Sequence, residues 1–242
     1  MRSRVLVLPA LVALVLLSLG GVARAAPCEQ RSPTVFALNG ETNLAMAACV
    51  TAKLRPTTTE LVVDSPGGPS GVAMDIADRL ARLGDLTIRV DGQCASSCAN
   101  YFLPLGRRLL VGRQAIIMVH GGMDPAQVSK VAPSERASIQ ALADKQRAFA
   151  LRHRIPPGWL LYRTAAAPTR VDGLDGAYRW RSTPDAELYL VEAPMLRSCL
   201  PGLDVTAYEA WLNSQLTPER VARLKQNRIV ATGTIVCNGQ KW

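Results

Sequence analysis

The stretch ELVVDSPGG, residues 60–68, is a short β-branched run that is closed by a proline and two glycines. Its first five residues predict a buried strand, because uninterrupted apolar runs of this length fit a parallel sheet that is covered on both faces. Apolar side chains then recur from Val72 to Leu83 at the spacing of one helical face. A strand, a glycine turn and an amphipathic helix in this order are typical of an α/β fold.

The same alternation of strands and helices continues on both sides of this stretch. Further strands are predicted at 34–38, 86–90 and 115–119, and further helices at 41–54, 95–103 and about 134–153. We therefore predict an α/β domain with a largely parallel sheet over residues 26–191. Beyond it, residues 192–242 form a predicted C-terminal appendage, with a helix at 206–215 and a last strand at 229–236.

The N-terminal segment has the pattern of a secretion signal. Arg2 and Arg4 precede a 15-residue apolar run, and an A-x-A cleavage site ends at Ala25. The run is shorter than the ~20 residues of a membrane-spanning helix. We therefore predict a cleaved signal peptide over residues 1–25 and a periplasmic or secreted protein. An uncleaved anchor is the alternative, and it is the one route to membrane contact that we expect.

The chain is basic, with a formal charge of +9 that falls to +6 when the three arginines of the predicted signal are removed. No basic block is interleaved with aromatic residues, which make up only 5% of the chain. We therefore predict no nucleic-acid partner. The charge is interpreted as a solvated arginine-rich surface, which could steer acidic partners or anionic lipid head groups.

Six cysteines remain after the predicted cleavage, in a compartment that is oxidising. An even count in such a compartment favours three disulfides. Proximity in sequence suggests the pairs Cys28–Cys49, Cys94–Cys98 and Cys199–Cys237. A zinc site is the rival interpretation, but the chain has no C-x-x-C motif and only two histidines. We therefore predict no metal site.

Two further motifs follow predicted strands, as the glycine turn does. GQCASSCA at 92–99 places two serines between a strand and a helix, and IIMVHGG at 116–122 places His120 where another strand emerges. Ligand sites of open α/β sheets gather at the carboxyl ends of strands, so we expect the three motifs to form one site. For each motif alone, a structural role as a turn, a helix cap or a buried histidine is the alternative.

In this order, VVDSPGG, GQCASSCA and IIMVHGG resemble the motifs of the Clp-type serine peptidases of the crotonase-like superfamily. FALNGE at 36–41 is also similar to that family's first strand and turn, so the resemblance covers about residues 34–190. The Cys-x-Ser-x-Cys arrangement resembles extracytoplasmic members of the group. The resemblance implies a crotonase-like spiral of ββα units with a mostly parallel sheet, here followed by a small disulfide-stapled appendage.

The resemblance also implies the roles of individual residues. Ser96 matches the nucleophile, His120 matches the general base, and the N–H groups of Gly67 and Ser97 match the oxyanion hole. The chemistry agrees, because a serine hydroxyl needs a neighbouring base and the base needs an orienting partner. We therefore predict an exported serine hydrolase, most simply a peptidase that acts on a peptide or protein and needs no cofactor. Relatives often form rings or trimers, so a homo-oligomer is an expected state.

This sequence departs from the family pattern at two places. Cys94 and Cys98 stand where small residues are usual; positions i and i+4 of a helical turn lie about 6 Å apart at Cα, so a disulfide here would clamp the nucleophile turn. The position that matches the family's aspartate is Tyr178. Asp172 and Asp175 lie nearby, and we assign Asp175 as the nearer of the two, with an acid-free dyad as the alternative.

The same sequence is compatible with other catalytic groups and with other functions. One of the thiols could be the nucleophile, and a lysine could be the base. A non-catalytic binding protein on the same fold is a second function, because one fold hosts unrelated functions. An acyl or thioester hydrolase is a third, since it would use the same nucleophile, base and oxyanion hole.

Overall fold

The structure, a computed structural model, describes residues 26–119, 121–123, 128–161, 189–215 and 230–231, together with Cys237 and Trp242. The predicted signal peptide, His120, Asp172 and Asp175 lie outside the described residues.

Helices and strands alternate over most of the described ranges. In chain order they are β1 (Cys28–Gln30), β2 (Val35–Asn39), α1 (Leu44–Lys53), β3 (Glu60–Ser65), α2 (Ser70–Leu80), β4 (Leu86–Ala95), α3 (Ser97–Tyr101), β5 (Gly106–Val111), β6 (Ile116–Val119), α4 (Arg136–Arg152), α5 (Pro157–Leu161), β7 (Tyr189–Leu190), α6 (Ala193–Cys199), α7 (Thr206–Gln215) and β8 (Val230–Ala231). The predicted α/β class is confirmed.

The strands form one mixed sheet that is mostly parallel. Its order is β1-β2-β3-β4-β6-β7-β8, and β5 lies beside β4 off this path. The four pairings around the centre, β2 with β3, β3 with β4, β4 with β5 and β4 with β6, are all parallel. Antiparallel pairing occurs where β1 meets β2 and where β6 meets β7. The carboxyl ends of β3, β4 and β6 therefore lie at the same end of the sheet.

Strand β4 is longer than its predicted range of 86–90, because it continues to Ala95. Its first half pairs with β5, and its last three residues pair with β6. The register against β3 shifts beside Asp64, whose carboxylate accepts a hydrogen bond from the Gln93 N–H (3.0 Å). A Cβ at Gly92 would lie 2.5 Å from Asp64 Oδ1, so this glycine makes room for the carboxylate instead of ending the strand. Helix α3 accordingly begins at Ser97 and not at residue 95.

The core is built mainly from aliphatic side chains, as the low aromatic content requires. Helix α2 covers the sheet and contacts α1, α3 and α4. Its fully buried residues include Ile76 and Leu80, two members of the predicted apolar face, whereas Val72 and Leu83 are only half-buried. Helix α4 begins two residues after Ser134, so that serine is not its N-cap as predicted.

The segment after residue 191 shares this core. Met195, Leu196 and Tyr208 are fully buried in the same apolar cluster, and α7 contacts β5. Strand β8 extends the sheet through parallel pairing with β7. Within the residues that the structure describes, no helix has both the length and the apolar character needed to cross a membrane.

The six cysteines form three disulfides, in the pairs that sequence proximity suggested: Cys28–Cys49, Cys94–Cys98 and Cys199–Cys237. No cysteine is free, so a thiol nucleophile is ruled out for this oxidised state. Disulfides form and persist in oxidising compartments, and three of them are consistent with an extracytoplasmic protein.

Candidate functional site

Ser96 joins the end of β4 directly to the start of α3 in a strained conformation. Its φ of 53° and ψ of −123° lie in a region that side-chain-bearing residues rarely adopt, at a cost of about 1–3 kcal/mol. Two backbone hydrogen bonds hold it there, from the Ser96 N–H to Met118 O (2.9 Å) and from the Asn100 N–H to Ser96 O (2.8 Å). A serine at a sharp, strained strand-to-helix turn presents its hydroxyl at the edge of the sheet. Strain of this kind clusters at functional sites.

The two adjacent serines differ in what their side chains do. Ser97 is buried, and its Oγ donates a hydrogen bond to the carbonyl of Gly68 (2.5 Å). Ser96 is half-buried and makes no side-chain hydrogen bond that caps α3. The Ser97 side chain therefore links the serine turn to the glycine turn. Helix capping does not explain why a serine stands at position 96.

The glycine turn after β3 packs against the serine turn so closely that side chains cannot fit. Gly67 has a φ of +88°, and a Cβ there would lie 2.5 Å from Ala95 O and 2.8 Å from both Ser96 Cβ and Ser97 N. Gly68 has a φ of +156°, and a Cβ there would collide with the carbonyl of Thr42. The two predicted motifs are thus in contact at the backbone level, as their placement after parallel strands indicated.

Backbone N–H groups at this contact are candidates for an oxyanion hole. The Gly67 N–H, the predicted donor, donates to Ser65 Oγ (3.1 Å). Within the described part of the chain, neither the Gly68 N–H nor the Ser97 N–H donates a hydrogen bond. Gly68 is therefore a candidate donor that the sequence reasoning missed, although the paired glycines of the motif offered both positions.

His120 lies outside the described residues, but the residues on both sides of it are described. Val119 ends β6, and β6 pairs with β4 so that Met118 lies opposite Ala95. On the far side, the Gly121 carbonyl accepts a hydrogen bond from Asn100 Nδ2 (3.0 Å). The chain therefore passes the serine turn immediately before and after position 120.

A buried glutamine fixes the segment after His120. Gln146 of α4 is fully buried; its Oε1 accepts hydrogen bonds from Tyr101 Oη (2.9 Å) and the Met123 N–H (2.8 Å), and its Nε2 donates to Met123 O (2.8 Å). Burial raises the pKa of Tyr101 to about 12, so its phenol stays a donor over the physiological range. Gly122 adds a backbone bond from its N–H to Leu160 O (2.7 Å). Sequence patterns offered no signal for Gln146, because a single glutamine on a helix forms no recognisable motif.

The Cys94–Cys98 disulfide encloses the serine turn. The two Cα atoms lie 5.2 Å apart and both residues are fully buried. The bond forms as predicted but for a different geometric reason: Cys94 lies in β4 and Cys98 in α3, so the bond crosses the strand-to-helix turn and does not join two positions of one helix. It closes the turn that holds Ser96 at positive φ.

We expect the Cys28–Cys49 and Cys94–Cys98 disulfides to contribute differently to the free energy of unfolding and to the reactivity of Ser96. In the loop-entropy model, loss of Cys28–Cys49, with a separation of 21 residues, costs about 3 kcal/mol, and loss of Cys94–Cys98, with a separation of 4, costs about 2 kcal/mol. The double variant Cys94→Ala/Cys98→Ala should nevertheless lose more reactivity of Ser96 towards a fluorophosphonate. Urea unfolding and labelling rates of both double variants test this. Equal labelling rates in the two double variants would contradict the idea that the Cys94–Cys98 disulfide supports the reactive conformation of Ser96.

The described residues around this geometry include no metal site, and the chain matches no known family model. Among the residues that the structure describes, no group of three or more His, Cys, Asp or Glu side chains is arranged to hold a metal ion. Comparison with protein-family models finds no match, and comparison with curated proteins finds none either.

Proposed function

We propose that the protein is an exported serine hydrolase in which Ser96 is the nucleophile. The observation that carries the proposal is the conformation of Ser96, a non-glycine residue held at positive φ between a parallel strand and a helix. Helix capping does not account for this conformation, because the Ser96 side chain makes no capping hydrogen bond to the helix that follows. A strained serine with a backbone N–H beside it fits an attacking hydroxyl.

The arrangement supports acyl transfer in two steps. Ser96 Oγ attacks the substrate carbonyl while His120 accepts the hydroxyl proton, and the negative charge that develops on the carbonyl oxygen is stabilised by the N–H groups of Ser97 and Gly68. His120 then returns the proton to the leaving group as the carbonyl–leaving-group bond breaks. Water, deprotonated by His120, attacks the acyl-enzyme; the bond between the acyl carbon and Ser96 Oγ then breaks, and His120 returns the proton to Ser96 as the acid is released.

The proposal assigns the supporting residues by what they contact. Ser97 Oγ donates a hydrogen bond to the Gly68 carbonyl, which ties the glycine turn to the serine turn. Asn100 and Gln146 hold the segment that follows His120. Asp175 is proposed as the residue that orients His120, and an acid-free dyad is the alternative.

A peptide or protein substrate is proposed from the resemblance of the three motifs to Clp-type serine peptidases, and with it a crotonase-like fold. The three disulfides support a place of action outside the cytoplasm. The same site would accept esters and thioesters, since the mechanism acts on any carbonyl with a suitable leaving group.

The role of His120 is tested with the purified, oxidised protein and a fluorophosphonate probe, which reacts only with an activated serine. We expect His120→Gln to lower the second-order labelling rate by about 10²–10⁴-fold, because the general base is lost. His153→Gln is the matched control and should label at nearly the wild-type rate, since His153 is bound to Asp78 on the surface of α2. Equal rates for wild type and His120→Gln would refute the proposed base.

A further inference from the structure

A pocket of about 240 Å³ lies at the opposite end of β4 from Ser96, between the end of α4, the start of β5 and the loop after α6. Gly106, which begins β5, forms part of its wall and pairs with Leu86 at the start of β4. The pocket is smaller than the ~300–1,000 Å³ of sites for drug-sized ligands. Its volume therefore suits a small molecule. Its place at the start of β4 separates it from the proposed catalytic centre at the end of that strand.

The lining combines an apolar wall with two arginines. Ile155, Leu200 and Leu203 contribute aliphatic surface, and Arg107 and Arg154 contribute the charge. Among the described residues that line the pocket there is no carboxylate. An apolar wall with a few charged groups is the usual composition of a small-molecule site.

Arg154 occupies a position where glycine is the usual residue. The Ile155 N–H bonds Ala150 O (2.8 Å) and the Arg154 N–H bonds Leu151 O (3.4 Å), which is the hydrogen-bond pattern of a Schellman motif at the end of α4. Arg154 takes the left-handed position of that motif, with a φ of 56°. A glycine would close the helix without this strain. The arginine therefore costs stability at a position that lines the pocket.

The carboxylates near the pocket bind residues other than Arg154. The Asp78 carboxylate binds His153 Nε2 (2.5 Å) and the Arg152 guanidinium (2.6 Å). Both residues come just before Arg154 in the chain. Asp85 binds Arg107 Nε at 2.9 Å, but both side chains are largely exposed, at 81% and 68%. Such a pair is weak, and a guanidinium has further N–H donors beyond Nε.

We infer that this pocket binds a small organic anion, a carboxylate on an apolar body, with Arg154 and Arg107 on the carboxylate and Ile155, Leu200 and Leu203 around the body. Guanidinium groups pair with carboxylates through two parallel hydrogen bonds, which gives both affinity and orientation. The apolar wall selects against an inorganic anion, and the two arginines select against a neutral molecule of the same shape.

Benzoate is the probe, with benzamide as its neutral analogue and inorganic phosphate as an anion without an apolar body. Binding is measured by calorimetry and located by methyl NMR shifts of Ile155 and Leu203. We expect benzoate to bind, and benzamide and phosphate to bind at least about tenfold more weakly. Equal affinity for benzoate and either comparison compound would overturn the inference, as would absence of benzoate binding at millimolar concentrations.

Arg154→Gly separates the ligand role from a structural role, because glycine suits the backbone at this position. We expect the variant to fold, to unfold about 2–4 °C higher than wild type, and to lose benzoate affinity by about tenfold or more. Arg113→Gly, an exposed arginine in the turn beyond the other end of β5, is the control with the same change of charge and should bind benzoate within about twofold of wild type. Equal losses in the two variants would overturn the inference.

Discussion

Ser96→Ala is expected to abolish fluorophosphonate labelling and to lower hydrolysis of any accepted substrate by at least about 10⁴-fold. The reason is that the adjacent hydroxyl is not positioned to take its place: Ser97 is buried and its Oγ donates to Gly68 O. The substitution should leave the fold intact, because an alanine at this position would keep the backbone bonds to Met118 and Asn100. The measurement is the extent of labelling, with circular dichroism to verify folding.

Ser97→Ala is the matched control, since it removes a hydroxyl from the neighbouring position. It leaves the Gly68 carbonyl without its donor, which should lower the free energy of unfolding by about 1–3 kcal/mol. Labelling should persist, at a reduced rate because the glycine turn is less firmly held. Full labelling of Ser96→Ala, or loss of labelling in Ser97→Ala alone, would reverse the assignment of the two serines.

Gly67→Ala is expected to lower the free energy of unfolding by about 3 kcal/mol or more. The φ of +88° is unfavourable for alanine, and the new Cβ would lie 2.5 Å from Ala95 O and 2.8 Å from Ser97 N. These neighbours are backbone atoms of the strand and helix that flank the nucleophile, so they cannot rotate away. Displacement of Ser96, whose Cβ is also 2.8 Å from the new methyl group, should reduce labelling of the protein that remains folded.

Gly84→Ala distinguishes backbone strain from this close contact. Gly84 has a nearly equal φ of +81°, but a Cβ there would have nothing within 4 Å. We expect it to cost only about 1–2 kcal/mol, from strain alone, and to label at the wild-type rate. Thermal or urea unfolding of the two variants measures the difference. Equal destabilisation by both substitutions would show that the contact between the glycine turn and the serine turn contributes little.

The fold class could be predicted because apolar periodicity reports burial directly. The run at 60–64 and the helical face from Val72 to Leu83 each indicated their element without reference to the rest of the chain. The extent of β4 could not be predicted. Gly92 is a strand-breaking signal in isolation, whereas in the structure it accommodates the Asp64 carboxylate of the neighbouring strand. That contact depends on a pairing register that the sequence does not reveal.

The candidate site could be predicted in part for the same reason. The order of the three motifs after parallel strands indicated that they meet, and the structure brings Gly67 against Ser96 and Ser97. The different roles of Ser96 and Ser97, and the role of Gln146, depend on hydrogen bonds between residues that are more than 20 positions apart in the sequence. No local pattern reports such bonds. The assignments of His120 and Asp175 stay predictions.

The central claim is that the strained turn makes Ser96 a nucleophile, and mapping the site of a covalent adduct tests it most directly. The oxidised wild-type protein is treated with a fluorophosphonate, digested without reduction and sequenced by tandem mass spectrometry, with a urea-unfolded sample as the control. We predict one adduct per folded chain, on Ser96, and none on the unfolded chain. A folded protein that acquires no adduct, or one that carries it on Ser97 or another residue, would contradict the account.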